Sequence, residues 1–283
     1  MTATDDFKRK LRRVLSEPQP LRFACSRVLW ATGACRMLDI PRCGYRLRFY
    51  PTALSASLWH QPDSFTEDER LLRAILRPGD TFVDVGANIG SLTMCASAAV
   101  GSAGSVFAFE PHPRTFHFLR GNMRWNRARN VQAFNLACGD GAMPAARLSS
   151  RRSDDQNAIC PESEGVSVSA GTLDAVLGSA TSVSLLKIDV EGYELFVLRG
   201  ASASLLRTKA ILFESWQSHF RRYGYGLADV ASFLSELGFT IYSVYGDTLR
   251  PLVPGYQSEC CENLLAVRDL EWFLGRTAMS IAS

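Results

Sequence analysis

One stretch of this 283-residue chain decides its fold: TFVDVGANIG, residues 81–90. An apolar run typical of a buried strand leads directly into a glycine-containing turn, and the following segment, 91–100, has the composition of a helix. Glycine permits a tight turn and a close approach of the backbone to a ligand, while a helix start presents unpaired N–H groups. The stretch therefore predicts a strand, turn and helix that together hold a nucleotide-like cofactor.

The glycine spacing favours one kind of cofactor. The pattern D-x-G-x-x-x-G differs from the G-x-G-x-x-G of dinucleotide-binding folds. Asp84 stands just before the first glycine, where its charge would repel a pyrophosphate but attract an ammonium group. S-adenosylmethionine carries an ammonium and a sulfonium, so we expect it as the cofactor. An ordinary strand-to-helix turn has a similar glycine pattern, and the rest of the chain must decide.

Length and composition indicate a globular protein. A hydrophobic share of 47% is typical of soluble proteins, and the length suits one large α/β domain or two small ones. No N-terminal run resembles a secretory signal, and the eight cysteines form no C-x-x-C pair. We therefore expect a soluble, cytoplasmic protein with free thiols. The adjacent pair Cys260-Cys261 has no histidine nearby in sequence, and we assign no residue to a metal.

Positive charge is concentrated near the N-terminus. Residues 1–50 hold eleven Lys or Arg against four Asp or Glu, although the whole chain carries only +3. Segment 7–15, FKRKLRRVL, predicts either an amphipathic helix that contacts an anionic membrane or a solvated arm. No nucleic-acid partner is expected. We predict a basic extension of helix and hairpin at 1–60, ahead of the main domain at 61–283.

From about residue 79, strand-like and helix-like segments alternate, which is typical of a mostly parallel sheet covered by helices. Strands are predicted at 81–85, 105–110, 131–137, 184–190, 210–214, 239–245 and 264–268. The last two should pair antiparallel. Helices are predicted at 66–77, 91–100, 113–125, 194–206 and 227–237. Segment 138–171 is rich in Ser, Gly and Asp without a clear period, and we expect it to be irregular or to cover the active site.

Acidic residues follow three successive predicted strands, at Asp84, Glu110 and Asp140. Parallel strands end at one rim, where open α/β sheets bind ligands. A carboxylate can accept two hydrogen bonds from a cis-diol, so Glu110 is predicted to hold a ribose, with helix capping as the alternative. An adenine amino group is expected to donate to Asp140 or a neighbouring carbonyl, although a simple turn is the alternative. The predicted cofactor-binding residues are Asp84, Gly86, Ala87, Asn88, Gly90, Glu110, Pro111 and Asp140.

A second motif, LKIDVEGYE at residues 186–194, places two more carboxylates at the same rim. Together with residues 79–90 and TLDAVL at 172–177, it resembles the FkbM family of S-adenosylmethionine-dependent methyltransferases over roughly residues 45–267. The resemblance implies a Rossmann-like α/β fold of class I methyltransferases. Its seven-stranded, mostly parallel sheet has an antiparallel last strand and helices on both faces. The resemblance also implies O-methylation of sugars or polyketide-type alcohols.

Methylation of an alcohol requires that the hydroxyl lose its proton, which calls for a base or a divalent cation. Asp189 is the first candidate to orient or deprotonate the acceptor, and Glu191 is the second, unless it caps its helix. Glu214 and His219 lie at and beyond the end of the next strand, and His219 supplies another possible base. Each of these four residues has a purely structural alternative.

The predicted function is therefore methyl transfer from S-adenosylmethionine to a hydroxyl of a sugar, glycolipid or natural product. Two alternatives remain. The first is a catalytically silent binding protein that keeps the cofactor fold. The second is a nicotinamide-dependent oxidoreductase, although the chain lacks both G-x-G-x-x-G and a Tyr-x-x-x-Lys pair.

Overall fold

The computed structural model describes residues 16–64, 66–149, 157–160, 165–179 and 181–282. The basic segment 7–15, with its predicted membrane contact, lies outside the described residues. The first elements are α1 (Pro20–Thr32), a 3₁₀ turn (Ala34–Met37), β1 (Asp39–Arg42), β2 (Tyr45–Arg48), α2 (Ala53–His60) and α3 (Thr66–Ile75). The predicted helix and hairpin before residue 60 are therefore present, with β1 and β2 paired antiparallel.

The alternating part of the chain follows. In chain order its elements are β3 (Thr81–Val85), α4 (Ser91–Val100), β4 (Ser105–Phe109), α5 (Pro113–Asn126), β5 (Val131–Phe134), β6 (Ala137–Cys138), β7 (Ala145–Leu148), β8 (Val166–Gly171), α6 (Leu173–Leu177), β9 (Val183–Ile188), α7 (Glu194–Arg199), α8 (Ser202–Leu205), β10 (Thr208–Ser215), α9 (Gln217–Arg222), α10 (Leu227–Glu236), β11 (Thr240–Tyr245), β12 (Thr248–Pro251), β13 (Glu262–Val267), α11 (Leu270–Arg276) and β14 (Ser280–Ile281).

Nine strands form the main sheet, in the order β14-β12-β11-β13-β10-β9-β3-β4-β5. The five strands from β10 to β5 are parallel to their neighbours, whereas β13 is antiparallel to both β10 and β11. All seven predicted strands lie in this sheet, and the predicted antiparallel strand is confirmed. The chain runs outward from β3 to β5 and then returns to β9, so the strand order reverses between β3 and β9. Ligands of open α/β sheets bind at such a reversal.

Two short strands extend the sheet beyond the predicted seven. After a turn at Gly246, β12 pairs antiparallel with β11, and β14 then pairs with β12. The predicted count of seven is therefore too low for the described residues. The prolines of this segment disfavour a strand in the sequence, but Pro251 is the last residue of β12 and is tolerated there.

The segment predicted to be irregular forms a small second sheet, in the order β6-β8-β7. Strand β5 ends at Phe134, and Ala137, which we had predicted to continue it, pairs with β8 instead. The predicted helix 194–206 is also interrupted, between Arg199 and Ser202. Gly200 stands at the break, and a Cβ there would lie 1.8 Å from the carbonyl oxygen of Gly139. The chain therefore bends where α7 touches the loop after β6.

Two apolar cores cover the two faces of the main sheet. Successive residues of a strand point to opposite faces, so Phe82 and Val83 of β3 lie in different cores. Leu47 of β2 shares the core of Phe82, whereas Leu198 of α7 shares that of Val83. The hairpin thus packs into the same core as the sheet, while the domain division at residue 60 stays a prediction. None of the helices in the described parts of the chain is long and apolar enough to span a bilayer.

Candidate functional site

A cavity of about 420 Å³ lies at the carboxyl ends of β3, β4, β9 and β10. Its volume is in the range of small-molecule sites. Nine of the predicted site residues line it: Asp84, Gly86, Ala87, Asn88, Glu110, Pro111, Asp189, Glu191 and Glu214. The strand-end reasoning therefore brought most of the candidates to one place.

Glu110 holds the turn that follows β3. Its Oε2 accepts a hydrogen bond from the Asn88 N–H at 2.9 Å, and its Oε1 accepts one from the His112 N–H at 2.9 Å. Burial raises the pKa of Glu110 to about 7, although both amide bonds act in the opposite direction. Each carboxylate oxygen retains a second lone pair. Glu110 can therefore order the turn and accept the two hydroxyls of a ribose at once.

Gly86 allows two loops to touch. It adopts a left-handed conformation, with φ of +85°, and a Cβ there would lie 1.8 Å from the carbonyl oxygen of Asp189. The Asp189 N–H in turn donates to the carbonyl of Val85 at 3.0 Å. The nearest neighbour of Gly86 is thus the backbone after β9. The structure thus gives this glycine a second role, contact between the two motifs, while its predicted close approach to a cofactor stays a prediction.

Two predicted cofactor residues do not line the cavity. Gly90 is the N-cap of α4, with φ of +89°, and a Cβ there would meet the Leu119 side chain at 2.5 Å, so this glycine leaves room for packing between α4 and α5. Asp140 accepts a hydrogen bond from the Ala142 N–H at 3.0 Å, which closes a turn. The chain leaves the main sheet after Phe134 and carries Asp140 beyond the rim. Positions 136–138 line the cavity in its place.

Lys187 lies between two acids and was missed by the sequence reasoning. Its Nζ donates to Asp189 Oδ2 at 3.0 Å and lies 3.9 Å from Asp84 Oδ1. Burial lowers the pKa of Lys187, but the charges of Asp189 and Asp84 outweigh burial and raise it above its ordinary value. The ammonium group therefore stays protonated inside the site. The sequence did contain a signal for this residue, since a lysine in a mostly apolar strand must find a charged partner when the strand is buried.

Asp84 is buried and already has partners. Its Oδ2 accepts a hydrogen bond from the Thr93 hydroxyl at 2.5 Å. Its Oδ1 accepts no hydrogen bond from any residue that the structure describes, and the ammonium of Lys187 is its charged neighbour. The predicted contact of Asp84 with the ammonium of a cofactor stays a prediction.

Glu191, Glu214 and His219 form a cluster at one wall of the cavity. His219 Nδ1 lies 3.4 Å from Glu214 Oε2 and 3.5 Å from Glu191 Oε2. The Trp216 ring packs on the imidazole with centroids 4.2 Å apart. His219 is buried and does not line the cavity, whereas both carboxylates do. His219 therefore reaches a bound molecule through the two acids.

Cys261 completes this wall, although sequence reasoning gave the cysteine pair no role. Its thiol donates to Glu214 Oε1 at 2.9 Å. Burial raises the pKa of Glu214, but the contacts with His219 and Cys261 outweigh burial and lower it overall. Cys261 could not be connected with Glu214 from the sequence, because β10 and β13 bring together residues 47 positions apart.

The turn after β9 is shaped by Glu194. Its Oε1 accepts hydrogen bonds from the Val190 and Gly192 N–H groups at 3.0 and 3.2 Å. Burial raises the pKa of Glu194 to about 8. Glu191 has a φ of +59°, a conformation that few non-glycine residues adopt. The turn thus directs the Glu191 carboxylate toward the cluster.

The sequence profile of the Methyltransferase FkbM domain matches residues 84–241, which is more than half of the chain. The chain belongs to the FkbM methyltransferase family. It is 28% identical over 212 residues to the hexuronic acid methyltransferase AglP of Haloferax volcanii, an alignment that covers 72% of this chain and 83% of AglP. It is 33% identical over 150 residues to Methyltransferase 1 of Beauveria bassiana, which covers 44% of this chain and 59% of that protein.

Two solved structures are also similar to this FkbM methyltransferase. The methyltransferase FkbM from Methylobacillus flagellatus superposes with a TM-score of 0.44 at 15% identity, covering 75% of this chain and 54% of that one. A SAM-dependent O-methyltransferase from Thermotoga maritima superposes with a TM-score of 0.42 at 16% identity, covering 72% of this chain and 65% of that one.

Family membership confirms the predicted enzyme class, and S-adenosylmethionine is the methyl donor of this FkbM methyltransferase. The residues of the cavity fit that donor. Glu110 offers lone pairs to a diol, and Asp84 has a buried carboxylate oxygen without a hydrogen bond from the described residues. Positions 136–138 line the same cavity as Glu110 with apolar side chains. These individual contacts are predictions that the experiments below address.

Proposed function

We propose that this methyltransferase acts on a hydroxyl group of a sugar, free or as part of a glycolipid or natural product. The main support for this proposal is that three carboxylates, those of Asp189, Glu191 and Glu214, line the same cavity as the turn after β3. Carboxylates accept hydrogen bonds from polyols, and one of them can take a hydroxyl proton. The similarity to a relative named for hexuronic acid methylation supports a carbohydrate acceptor.

Asp189 is the proposed base. Its Oδ2 accepts from Lys187 at 3.0 Å, and its side chain is 39% exposed, so it is both held in place and open to the cavity. Bound S-adenosylmethionine supplies a methyl group that is electrophilic because it is attached to a sulfonium. As the acceptor oxygen bonds to that methyl carbon and the carbon–sulfur bond breaks, Asp189 takes the hydroxyl proton and then returns it to solvent.

The test is a panel of acceptors incubated with methyl-labelled S-adenosylmethionine. Uronic acids, neutral hexoses, a phenol and an amino sugar would be compared, and the methylated atom would be located by mass spectrometry and NMR. We expect label on a hydroxyl oxygen of one or more sugars. Label confined to nitrogen, or to the phenol, would contradict a sugar-hydroxyl acceptor while leaving the methyltransferase class intact.

We also propose that the enzyme is cytoplasmic and meets lipid-linked acceptors at an anionic membrane surface. Helix α1 exposes Leu21 and Val28, at 84% and 62%, and Met37 follows at 82%. Positions 18–38 contain three arginines and no acidic residue. Exposed apolar side chains amid positive charge favour anionic bilayers. The eight cysteines, all within the described residues, form no disulfide bond, which supports a reducing compartment.

Vesicle co-sedimentation tests this contact. The full chain should sediment with phosphatidylglycerol vesicles and not with phosphatidylcholine vesicles, and the double substitution Leu21→Glu with Val28→Glu should leave it in the supernatant. Equal sedimentation of the wild type and the double variant would show that α1 does not bind the membrane.

A further inference from the structure

The cluster of Glu191, Glu214 and His219 has the chemical composition of a metal site. Each residue offers one ligand atom, and these atoms all lie within 4.8 Å of one another. Two carboxylate oxygens and one imidazole nitrogen are a donor set that divalent transition metals accept. The cluster lies at the end of β10 and beside the turn after β9, at one wall of the cavity.

The distances between His219 Nδ1 and the two carboxylate oxygens fit ligands around a shared metal ion better than direct hydrogen bonds. His219 Nδ1 lies 3.4 and 3.5 Å from the two carboxylate oxygens. Hydrogen bonds between nitrogen and oxygen are most often about 2.9 Å long. Ligand atoms about 2.1 Å from a tetrahedral zinc ion are separated by about 3.4 Å.

The Nδ1 atom of His219 is a second, separate indication of a ligand. The residue is only 7% exposed, and no hydrogen bond from the described residues reaches Nδ1. A buried polar atom without a hydrogen bond costs free energy, and such atoms are rare in native structures. Here the atom points between two carboxylates, which repel each other unless positive charge lies between them.

The contacts of Glu214 and His219 with their neighbours are compatible with a ligand role. Glu214 uses Oε1 to accept the Cys261 thiol, so its Oε2 remains for the cluster. Trp216 packs on the imidazole ring and fixes its orientation. Such supporting contacts around a ligand set increase metal affinity.

We propose that Glu191, Glu214 and His219 bind one divalent transition-metal ion of the zinc type, with an open position toward the cavity. Its catalytic role rests on the proposed function: an acceptor hydroxyl at the open position would lose its proton more readily to Asp189. The oxygen–hydrogen bond and the methyl–sulfur bond break, the oxygen–methyl bond forms, and S-adenosylhomocysteine leaves without a net charge on sulfur.

Calorimetric titration of the full, reduced chain with ZnCl₂ alone tests the site. We expect one equivalent to bind at the cluster. Replacing a residue that only supports a metal ligand typically lowers metal affinity about 10- to 100-fold. Loss of a ligand itself, in His219→Ala or Glu191→Gln, should therefore weaken zinc binding by more than roughly tenfold. His117→Ala removes an exposed imidazole elsewhere and should bind zinc as the wild type does. If one of the two ligand variants fails to fold, the other still tests the site.

A second measurement locates the ion. Co²⁺ quenches nearby indole fluorescence, so saturation with CoCl₂ should reduce the emission of the wild type, and Trp216→Phe should remove this saturable part. Unchanged zinc affinity in both ligand variants, or binding without any Trp216-dependent quenching, would overturn the proposal.

Titration with S-adenosylhomocysteine separates this proposal from the proposed function. If the chain binds S-adenosylhomocysteine and methylates a sugar hydroxyl but binds no zinc at the cluster, the metal site is wrong and the function stands. If zinc binds at the cluster but the acceptor panel yields no methylated hydroxyl, the metal site stands and the function is wrong.

Discussion

The affinity for S-adenosylhomocysteine should depend on the charge of Glu110. Each oxygen of this carboxylate accepts a hydrogen bond from a backbone N–H group, and burial raises the pKa of Glu110 to about 7. If the ribose hydroxyls donate to the ionised form, protonation removes the acceptor character of one oxygen. Affinity should therefore be highest above pH 7 and fall as the pH drops below it.

The size of the effect follows from the position of that pKa. With a pKa of about 7 in the free protein, about nine-tenths of Glu110 is ionised at pH 8 and about one-tenth at pH 6. If only the ionised form binds well, the dissociation constant should rise roughly tenfold between these pH values, which corresponds to about 1.4 kcal/mol. Calorimetry at half-unit steps of pH would measure the curve.

Glu110→Gln isolates this carboxylate. The variant should lose most of the pH dependence between pH 6 and 8. At pH 8 it should bind more weakly by about 1.5 to 3 kcal/mol, the usual worth of a hydrogen bond to a charged group. Glu262→Gln is the matched control, because it removes a carboxylate that lines the same cavity without touching the turn after β3. A flat pH curve in the wild type, or the same slope in Glu110→Gln, would show that the ionised Glu110 carboxylate does not hold the ribose.

Three further predictions concern the two motifs. Gly86→Ala should lower the free energy of unfolding by roughly 2 to 5 kcal/mol in urea, because of backbone strain and collision with Asp189. Gly79→Ala is the control, since Gly79 has a φ of +90° but open space around it, and it should lower the free energy of unfolding by only about 1 to 2 kcal/mol. Asp189→Asn should lower turnover about 10²- to 10⁴-fold with unchanged S-adenosylhomocysteine affinity, whereas exposed Glu271→Gln should alter neither. Between pH 6 and pH 8, the stability of Glu194→Gln relative to the wild type should rise by roughly 2 to 3 kcal/mol. Burial raises the pKa of Glu194 to about 8 in the folded protein, far above that of an exposed Glu, so ionisation costs the wild type stability as the pH rises. Parallel pH curves for the two proteins would contradict this.

Local patterns were sufficient to predict most of the fold. The helix predicted at 91–100 has those bounds in the structure, and β3 begins and ends where it was predicted. Both elements are specified within about 20 residues by an apolar strand, a glycine turn and a run of small helix-compatible residues. The antiparallel pairing of β11 with β13 could also be predicted, because the segment between them contains Pro251, Pro254 and Gly255 and no helix pattern, which favours a loop that reverses the chain.

Elements that depend on distant pairing were not predicted. Strand β14 has only two residues, and its partner in β12 lies 32 positions earlier, at Thr248 for Ser280. Strands β6 and β8 are likewise far apart in sequence and rich in small or polar residues. No local period distinguishes such segments from loops, since their hydrogen bonds form only after the main sheet is assembled.

The candidate site shows the same division between local and distant information. Asp84, Glu110 and Asp189 could be placed at one rim, because parallel strands end together. Their charge balance could not be predicted, since it depends on Lys187, which is the register partner of Asp84 in the neighbouring strand. That one lysine approaches both Asp84 and Asp189.

The charge balance also explains which acid should control pH dependence. Asp84 and Asp189 share the ammonium of Lys187, whereas the carboxylate of Glu110 forms no ion pair among the described residues and relies on two amide N–H groups. Dipoles offset less of the desolvation cost than a full opposite charge does, so burial moves the pKa of Glu110 to about 7. Burial also raises the pKa of Asp84 and of Asp189, despite the ammonium of Lys187. Glu110 is the proposed ribose ligand, and its pKa of about 7 is the reason that we expect cofactor affinity to contribute to the pH response of this enzyme.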